Sequence, residues 1–326
     1  MKTTAEKEWL LKQMKVSGGQ KEERQVSGNE VHEVKTAGKV SKKARGFQDV
    51  AGMEELKQMV KDNFIDVLKN KDYAELYGIT PPSLLFYGPS GCGKTFFAEK
   101  IAEEVGINFM KIVPDDLAST LVHGTQEKIG EVFRKAERKA PTLIFFDEFD
   151  AMVPQRTNDD HNCQNGEINE FLCMLNNAAE KGIYVMAATN HPERIDKAVL
   201  RTGRIDEMIY IDMPDAEARE SLFRLALSKL PKEEGIDYLR LADLTQGYNC
   251  SDIAYIVKAT SRMAFNTSIK DKSRPAASIT QHQLEDVIAR KAPSVSSKDL
   301  RGYERIRAEF SAKDKECKKY TVGFPV

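Results

Sequence analysis

Short apolar runs that alternate with amphipathic stretches place the strongest limit on how residues 47–214 can fold. Five such runs read SLLFY (83–87), NFMKI (108–112), TLIFF (142–146), IYVMAAT (183–189) and MIYIDM (208–213). Apolar residues on both faces of a run are typical of parallel strands that have helices packed on both sides of their sheet. The pattern predicts an α/β fold in three layers, with a parallel sheet between two layers of helices.

The chain on either side of this region has a different pattern. Residues 1–45 are rich in Lys, Glu, Ser and Gly and poor in large apolar residues, which predicts a disordered segment. Beyond residue 214 no strand is predicted, and helices are expected at Ala216–Leu227, Ser251–Asn266, Thr280–Arg290 and Ser296–Phe310. Thr280 with Gln283, and Ser296 with Asp299, have the spacing of capping boxes. We therefore predict a segment (1–45), an α/β domain (46–213) and a small all-helical domain with a tail (214–326).

Charge and cysteine content disfavour several classes of protein. Lys and Arg number 49 against 50 Asp and Glu, so there is no general attraction for a polyanion. Neither a helix-turn-helix nor zinc-finger spacing is visible, which argues against a nucleic-acid motor. No apolar run approaches the ~20 residues of a membrane span, and the first residues lack a secretory h-region. Five scattered cysteines without a CxxC pair indicate reduced thiols and a cytoplasmic protein.

The stretch GPSGCGKT (88–95) follows one predicted strand and precedes a predicted helix. It fits G-x-x-x-x-G-K-[ST], in which backbone N–H groups and the helix N-terminus surround a phosphate. Lys94 would neutralise the β- and γ-phosphates, and the Thr95 hydroxyl would ligate Mg²⁺. The chain is therefore expected to have a P-loop NTPase fold. The residues of this stretch predicted to bind the nucleotide are Gly88, Pro89, Ser90, Gly91, Cys92, Gly93, Lys94, Thr95 and Phe96.

Polar residues at the ends of two later strands complete a predicted hydrolysis site. TLIFFDE ends on Asp147, which can hold the Mg²⁺ shell, and Glu148, which can polarise water against the γ-phosphate. AATN ends on Asn190, whose amide can hold the attacking water or sense the γ-phosphate. In LRTGRID, Arg201 and Arg204 are predicted arginine fingers, because guanidinium groups stabilise the charge on a transferring phosphoryl group.

With its motifs in this order, the run from Phe47 to Phe310 resembles the AAA family of AAA+ ATPases, including single-module members such as katanin, spastin and the proteasomal ATPases. The resemblance implies ATP hydrolysis with Mg²⁺ in a homo-oligomeric ring, usually a hexamer, with ATP bound between subunits. It also implies that Arg201 and Arg204 act on the nucleotide of the next subunit. Asp49, Val50 and Ala51 match the turn on the adenine side of the family's site.

The same resemblance marks three places where this chain departs from the family pattern. GYNCSDI (247–253) matches the start of the lid helix, so Cys250 and Ser251 are expected at the adenine. Asn249 and Cys250 stand where Ser-Gly is common, and Leu175, Asn176 and Asn177 stand where relatives often carry M-D-G. In the loop expected to line the central pore and contact a client, Val122 and His123 stand where an aromatic is usual.

Three functions remain for the predicted ATPase. It could remodel or unfold a protein client or complex, or it could be a scaffold whose assembly ATP switches without threading a substrate. The third possibility, the ATPase part of a membrane-bound zinc protease, requires an H-E-x-x-H helix that would hold Zn²⁺. The chain lacks that motif, so the first two possibilities are preferred.

Overall fold

The computed structural model describes residues 45–118, 124–155, 162–176, 178–201, 203–270, 276–313 and 319–322. Its strands are β1 (Leu84–Tyr87), β2 (Asn108–Ile112), β3 (Thr142–Phe146), β4 (Ile183–Thr189), β5 (Glu207–Pro214) and β6 (Lys319–Val322). They form one sheet in the order β2-β3-β4-β1-β5-β6, and every neighbouring pair is parallel. The predicted parallel sheet is confirmed.

Helices cover both faces of this sheet. Those before β5 are α1 (Glu54–Val60), α2 (Asp66–Lys69), α3 (Lys71–Tyr77), α4 (Lys94–Val105), α5 (Pro114–Leu117), α6 (Gly124–Glu137), α7 (Phe149–Met152) and α8 (Asn162–Asn176). On one face, Phe86 of β1 packs edge-on against Phe97 of α4, with ring centroids 5.7 Å apart. On the other, Phe146 of β3 contacts Phe171 of α8 at 4.8 Å. The predicted three-layer arrangement is therefore confirmed.

The helices after β5 have an apolar core of their own. They are α9 (Ala216–Leu227), α10 (Tyr238–Leu244), α11 (Cys250–Lys270), α12 (Gln281–Arg290) and α13 (Ser297–Lys313). Phe223, Leu241, Ile256 and Leu284 are fully buried in that core. The capping box at Thr280 is present, since its hydroxyl accepts from Gln283 N and the Gln283 side chain accepts from Thr280 N. The sequence did not predict α10.

Strand β6 corrects the prediction that residues 214–326 contain no strand. Its backbone pairs with β5, placing Lys319 opposite Tyr210 and Tyr320 opposite Ile211, and so adds a sixth strand at the sheet edge. With four residues, β6 is too short for an alternation of apolar and polar residues to be recognised in the sequence. Its pairing with β5 is made by main-chain hydrogen bonds, which leave no mark in the residue pattern.

Among the described helices, none has both the length and the apolar character needed to span a bilayer. The predicted disordered segment lies outside the described residues, apart from Arg45.

Candidate active site

The loop between β1 and α4 passes very close to the neighbouring strand. Gly88 has φ 139°, and a Cβ atom there would lie 2.2 Å from the carbonyl oxygen of Ile211 on β5. Only glycine allows that approach. Gly93, with φ 89°, leads directly into Lys94, the first residue of α4. The first N–H groups of a helix lack intrahelical partners, so this loop and helix start can receive a phosphate.

Lys94 lies inside this loop and is only 8% exposed. Its ammonium donates to the carbonyl oxygens of Gly88 at 2.9 Å and Pro89 at 2.8 Å. Burial lowers the pKa of Lys94 to about 8, while Cys92 and Asp147 act in the opposite direction. A phosphate beside the ammonium would favour its charged form. Lys94 is thus held where it can serve as the cation for the phosphates.

Thr95 and Asp147 meet across the gap between α4 and β3. The Thr95 hydroxyl donates to Asp147 Oδ2 at 3.0 Å. Both side chains supply hard oxygen ligands, and Mg²⁺ at nucleotide sites takes its remaining positions from water and phosphate oxygens. The residues present therefore fit the predicted Mg²⁺ site.

Lys111 is a site residue for which the sequence predicted no role. It lies on β2, next to β3 in the sheet and directly opposite Phe145. Its ammonium is 2.7 Å from Asp147 Oδ2, the oxygen that also accepts from Thr95. No motif surrounds Lys111, so only the strand order brings this cation to the carboxylate.

Glu148 follows Asp147 with φ 53°, one of two non-glycine residues in the described chain with a positive φ. Such a conformation is costly for a residue with a side chain and is typical of functional sites. Its backbone N–H donates to Asp147 Oδ1 at 3.2 Å. Its exposed carboxylate has no hydrogen-bond or ion-pair partner among the described residues, so it is available to water.

The end of β4 brings Asn190 beside the phosphate loop. Thr189 and Tyr87 are paired at the ends of the parallel strands β4 and β1. The residues that follow them, Asn190 and Gly88, therefore lie at the same edge of the sheet. The Thr189 hydroxyl donates to Asp150 Oδ1 at 2.5 Å and accepts from the His191 N–H at 2.8 Å. These bonds fix the strand end.

Tyr303 of α13 also contacts this strand end, a contact that no sequence pattern indicated. Its hydroxyl donates to the backbone oxygen of Asn190 at 2.9 Å. Burial, together with neighbouring carboxylates, raises the pKa of Tyr303 to about 12. The hydroxyl therefore stays protonated, and remains a donor, at physiological pH.

The two arginines are not placed against the phosphate loop of their own chain. Arg204 donates to Ala198 O at 2.6 Å and to Asn176 Oδ1 at 3.4 Å. Arg201 is exposed, and its side chain has no hydrogen-bond or ion-pair partner in the described part of the chain. The structure therefore groups Lys94, Thr95, Asp147 and Asn190 but leaves the arginines outside that group.

The predicted adenine-side turn is attached to α4. Asp49 pairs with Lys100 at 3.2 Å, and the Val50 carbonyl accepts from Lys57 at 2.8 Å. Ala51 continues the turn and is half-buried. Phe96 is partly exposed, and the Lys100 ammonium lies 5.3 Å from its ring centroid. A role for Asp49, Val50 and Ala51 at the adenine, and for Phe96 in binding the nucleotide, stays a prediction.

The start of α11 lies directly on the phosphate loop. Ser251 N donates to Gly91 O at 3.1 Å, and Asn249 Nδ2 donates to Ser90 O at 3.0 Å. Burial raises the pKa of the neighbouring Cys250 thiol to about 11. Asn249 and Ser251 thus contact the loop directly, and a role for Cys250 and Ser251 at the adenine stays a prediction. The predicted pore residues Val122 and His123 lie outside the described residues.

Comparison with known proteins gives one family and two informative relatives. Residues 84–213 match the family described as "ATPase family associated with various cellular activities (AAA)". The Cell division cycle protein 48 homolog of Archaeoglobus fulgidus is 32% identical over 275 residues, covering 81% of this chain and 38% of that protein. The ATPase family gene 2 protein of Saccharomyces cerevisiae is 37% identical over 213 residues, covering 64% of this chain and 27% of that protein.

The chain thus spans less than two-fifths of either relative. The matched region runs from β1 to the end of β5 and includes the phosphate loop, Asp147, Glu148, Asn190 and both arginines. The matched family is one of ATPases, so the reaction at this site is ATP hydrolysis. Residues 84–213 thus form a domain of the AAA family of ATPases.

Proposed function

We propose that this ATPase requires Mg²⁺, assembles as a ring, most simply a hexamer, and couples ATP hydrolysis to the remodelling of a protein client. The observation that carries the proposal is the position of the arginines. Arg201 is exposed, and Arg204 is held by Ala198 and Asn176 rather than by its own phosphate loop. A site that needs an arginine for charge stabilisation would then receive it from a neighbouring subunit.

Each group of the site has a distinct part in the proposed chemistry. Bound Mg²⁺, held by Thr95 and Asp147, would supply charge that stabilises the phosphate oxygens. Lys94 would exchange its carbonyl partners for phosphate oxygens. Glu148 would take the proton of the attacking water, and the Asn190 amide would orient that water. Arg201 of the next subunit would then stabilise charge developing on the transferred phosphoryl group.

Two exposed apolar surfaces support head-to-tail assembly. On α3, Tyr73, Leu76 and Tyr77 are each more than two-thirds exposed. On α11, Phe265 and Ile269 are each more than half exposed. Soluble monomers seldom leave such residues clustered without a partner.

The net charges beside these two surfaces are opposite in sign. On α3 the exposed Asp72 and Glu75 outnumber the exposed Lys71, whereas the exposed charges of α11 are Lys258, Arg262 and Lys270. Contact between two different surfaces of identical subunits generates a ring when the rotation closes. The pairing of an acidic apolar surface with a basic apolar surface therefore favours a head-to-tail ring over a two-fold dimer.

A protein client would be recognised by two parts of the chain. By family resemblance, Val122 and His123 would contact it in the pore, and the segment before residue 46 would select it. Val122 offers less apolar contact area than an aromatic residue, which favours loosely folded or assembled clients over very stable ones. The competing function is a scaffold whose assembly ATP switches. It shares the active site and differs only in lacking client-dependent work.

Mixing experiments test the ring and the shared site together. Inactive Arg201→Ala protein, added to wild type at a constant total concentration, should lower ATPase activity below the value expected from simple dilution. Arg138→Ala removes an exposed arginine at the end of α6 and is the matched control. Activity that is independent of concentration and follows simple dilution would contradict a site completed by a neighbour. A ring that hydrolyses ATP but remodels no client would favour the scaffold.

A further inference from the structure

The oxygen and the nitrogen of the Asn249 side-chain amide form hydrogen bonds with different parts of the structure. It immediately precedes α11 and is 2% exposed. Its Oδ1 accepts from the backbone N–H of Asp252 at 2.8 Å, which caps the first turn of α11. Its Nδ2 donates to the backbone oxygen of Ser90 in the phosphate loop, at 3.0 Å. One buried side chain therefore joins the helical portion to the nucleotide site.

The surfaces on either side of this bond are in close contact. Ser251 N donates to Gly91 O at 3.1 Å, one residue further along the loop and two residues further along the other segment. A Cβ atom on Gly91 would lie 2.6 Å from Asn249 Nδ2 and 3.0 Å from Ser251 Oγ. Gly91 also has φ 74°, which disfavours other residues. The fit leaves no room for a side chain between the loop and α11.

The start of α11, which Asn249 caps, is held in place by Asp252. Asp252, in the first turn of α11, is buried and pairs with Lys291 at 2.7 Å. It also accepts from Ser294, through the hydroxyl at 2.5 Å and the backbone N–H at 3.0 Å. These bonds fix the start of α11 to the segment between α12 and α13. A displacement of the loop away from α11 must therefore break the Asn249 bond, because α11 cannot readily follow.

We propose that the hydrogen bond from Asn249 Nδ2 to Ser90 O clamps α11 onto the phosphate loop and slows the release of bound nucleotide. The loop must open for a diphosphate to leave, and this bond resists that opening. A shorter serine at this position can cap the helix through its hydroxyl, but it has no amide to donate to Ser90. Asn249 is thus a positioning residue that acts on the nucleotide through the loop.

Two substitutions separate the clamp from the cap. Asn249→Ser and Asn249→Asp both keep an oxygen that can accept from the Asp252 N–H, and both remove the Nδ2 donor. The probe is ADP carrying a fluorescent N-methylanthraniloyl group, displaced by excess unlabelled ADP in a stopped-flow instrument. A net hydrogen bond corresponds to a change of about 2- to 12-fold, so release should accelerate by about that factor. The rate constant for binding should change by less than about 2-fold, since the clamp resists opening of the occupied site.

The matched control is a different cap in the helical portion. Asp237 Oδ1 accepts from Arg240 N at 3.0 Å at the start of α10, and no hydrogen bond or ion pair with a loop residue is described for it. Asp237→Ser should leave ADP release unchanged. All rates are measured at a temperature at which circular dichroism shows every variant to be folded. Wild-type release in both Asn249 variants would overturn the proposal, as would equal acceleration in the Asp237 control.

Discussion

The Lys111 ammonium lies 2.7 Å from Asp147 Oδ2, and the Thr95 hydroxyl donates to the same oxygen at 3.0 Å. The ammonium of Lys111, on β2, therefore pairs with the same carboxylate that we propose as part of the Mg²⁺ site. The lysine side chain is 40% exposed, so water screens the attraction and the pair contributes little to stability. Its main consequence is competition, because Mg²⁺ and the ammonium are drawn to the same oxygen.

Removing this competing cation should tighten metal binding. In Lys111→Met, the affinity of the ADP-bound protein for Mn²⁺, a paramagnetic substitute for Mg²⁺, should rise by about 2- to 5-fold, as expected for a partly exposed ion pair. Electron paramagnetic resonance of free Mn²⁺ measures this affinity without turnover. Lys139→Met, at an exposed lysine beyond α6, is the control. Weaker Mn²⁺ binding in Lys111→Met would show that the lysine supports the metal site.

Binding and chemistry should separate at two residues of the site. Lys94→Ala removes the buried cation of the loop and should weaken ATP binding by at least about 10-fold, because charge-assisted contacts to phosphate are lost. Glu148→Gln keeps the size of the side chain and should leave affinity within about 2-fold while slowing turnover about 100-fold or more. Equilibrium titration with a fluorescent ATP analogue and phosphate release give the two quantities. Normal binding and turnover in both variants would refute the assignment.

The site residues that could be predicted from the sequence are those that belong to a recognisable local motif. The loop at Gly88–Thr95, Asp147 and Asn190 each follow an apolar strand directly, and parallel strands end at one edge of the sheet. Lys111 and Tyr303 carry no such local signal. Their contacts depend on strand order and on where α13 packs, so distant residues decide them.

Asn249 shows a different limit of sequence reasoning. Its departure from the usual family residue is visible in the sequence, but the acceptor of its amide is Ser90, 159 residues away. Strand β6 was missed for a related reason. Its pairing with β5 is a main-chain contact between distant segments, and four residues are too few to show a period.

The buried carboxylate of Asp252 should make stability depend on pH in the acid range. Burial alone would raise its pKa, but hydrogen bonds from Lys291 and Ser294 outweigh that effect and hold the pKa below the ordinary 3.8. Because the folded-state pKa is the lower one, the carboxylate contributes stability above the unfolded-state value, and this is lost as the pH falls through the folded-state pKa.

Asp252→Asn should therefore lower the free energy of unfolding at pH 7 by about 1–3 kcal/mol, as for a lost charge-assisted hydrogen bond. The difference from wild type should shrink as the pH falls below about 4. Urea unfolding followed by circular dichroism gives both values. Glu234→Gln, at an exposed carboxylate, should show no such trend. A difference that stays constant down to pH 3 would mean that packing, and not charge, accounts for the loss.

The hydroxyl of Tyr303 should affect turnover more than nucleotide binding. It donates to the backbone oxygen of Asn190 at 2.9 Å, and Asn190 is the residue proposed to orient the attacking water. Tyr303→Phe keeps the packed ring and removes only this donor. Because one net hydrogen bond is lost, kcat should fall by about 2- to 10-fold while KM for ATP stays within about 2-fold. Tyr238→Phe is the control, since that ring packs on Arg224 at 4.4 Å in the helical portion and has no described contact with β4. If KM rises and kcat is unchanged, Tyr303 supports the nucleotide pocket in general. If neither constant moves, α13 does not position Asn190.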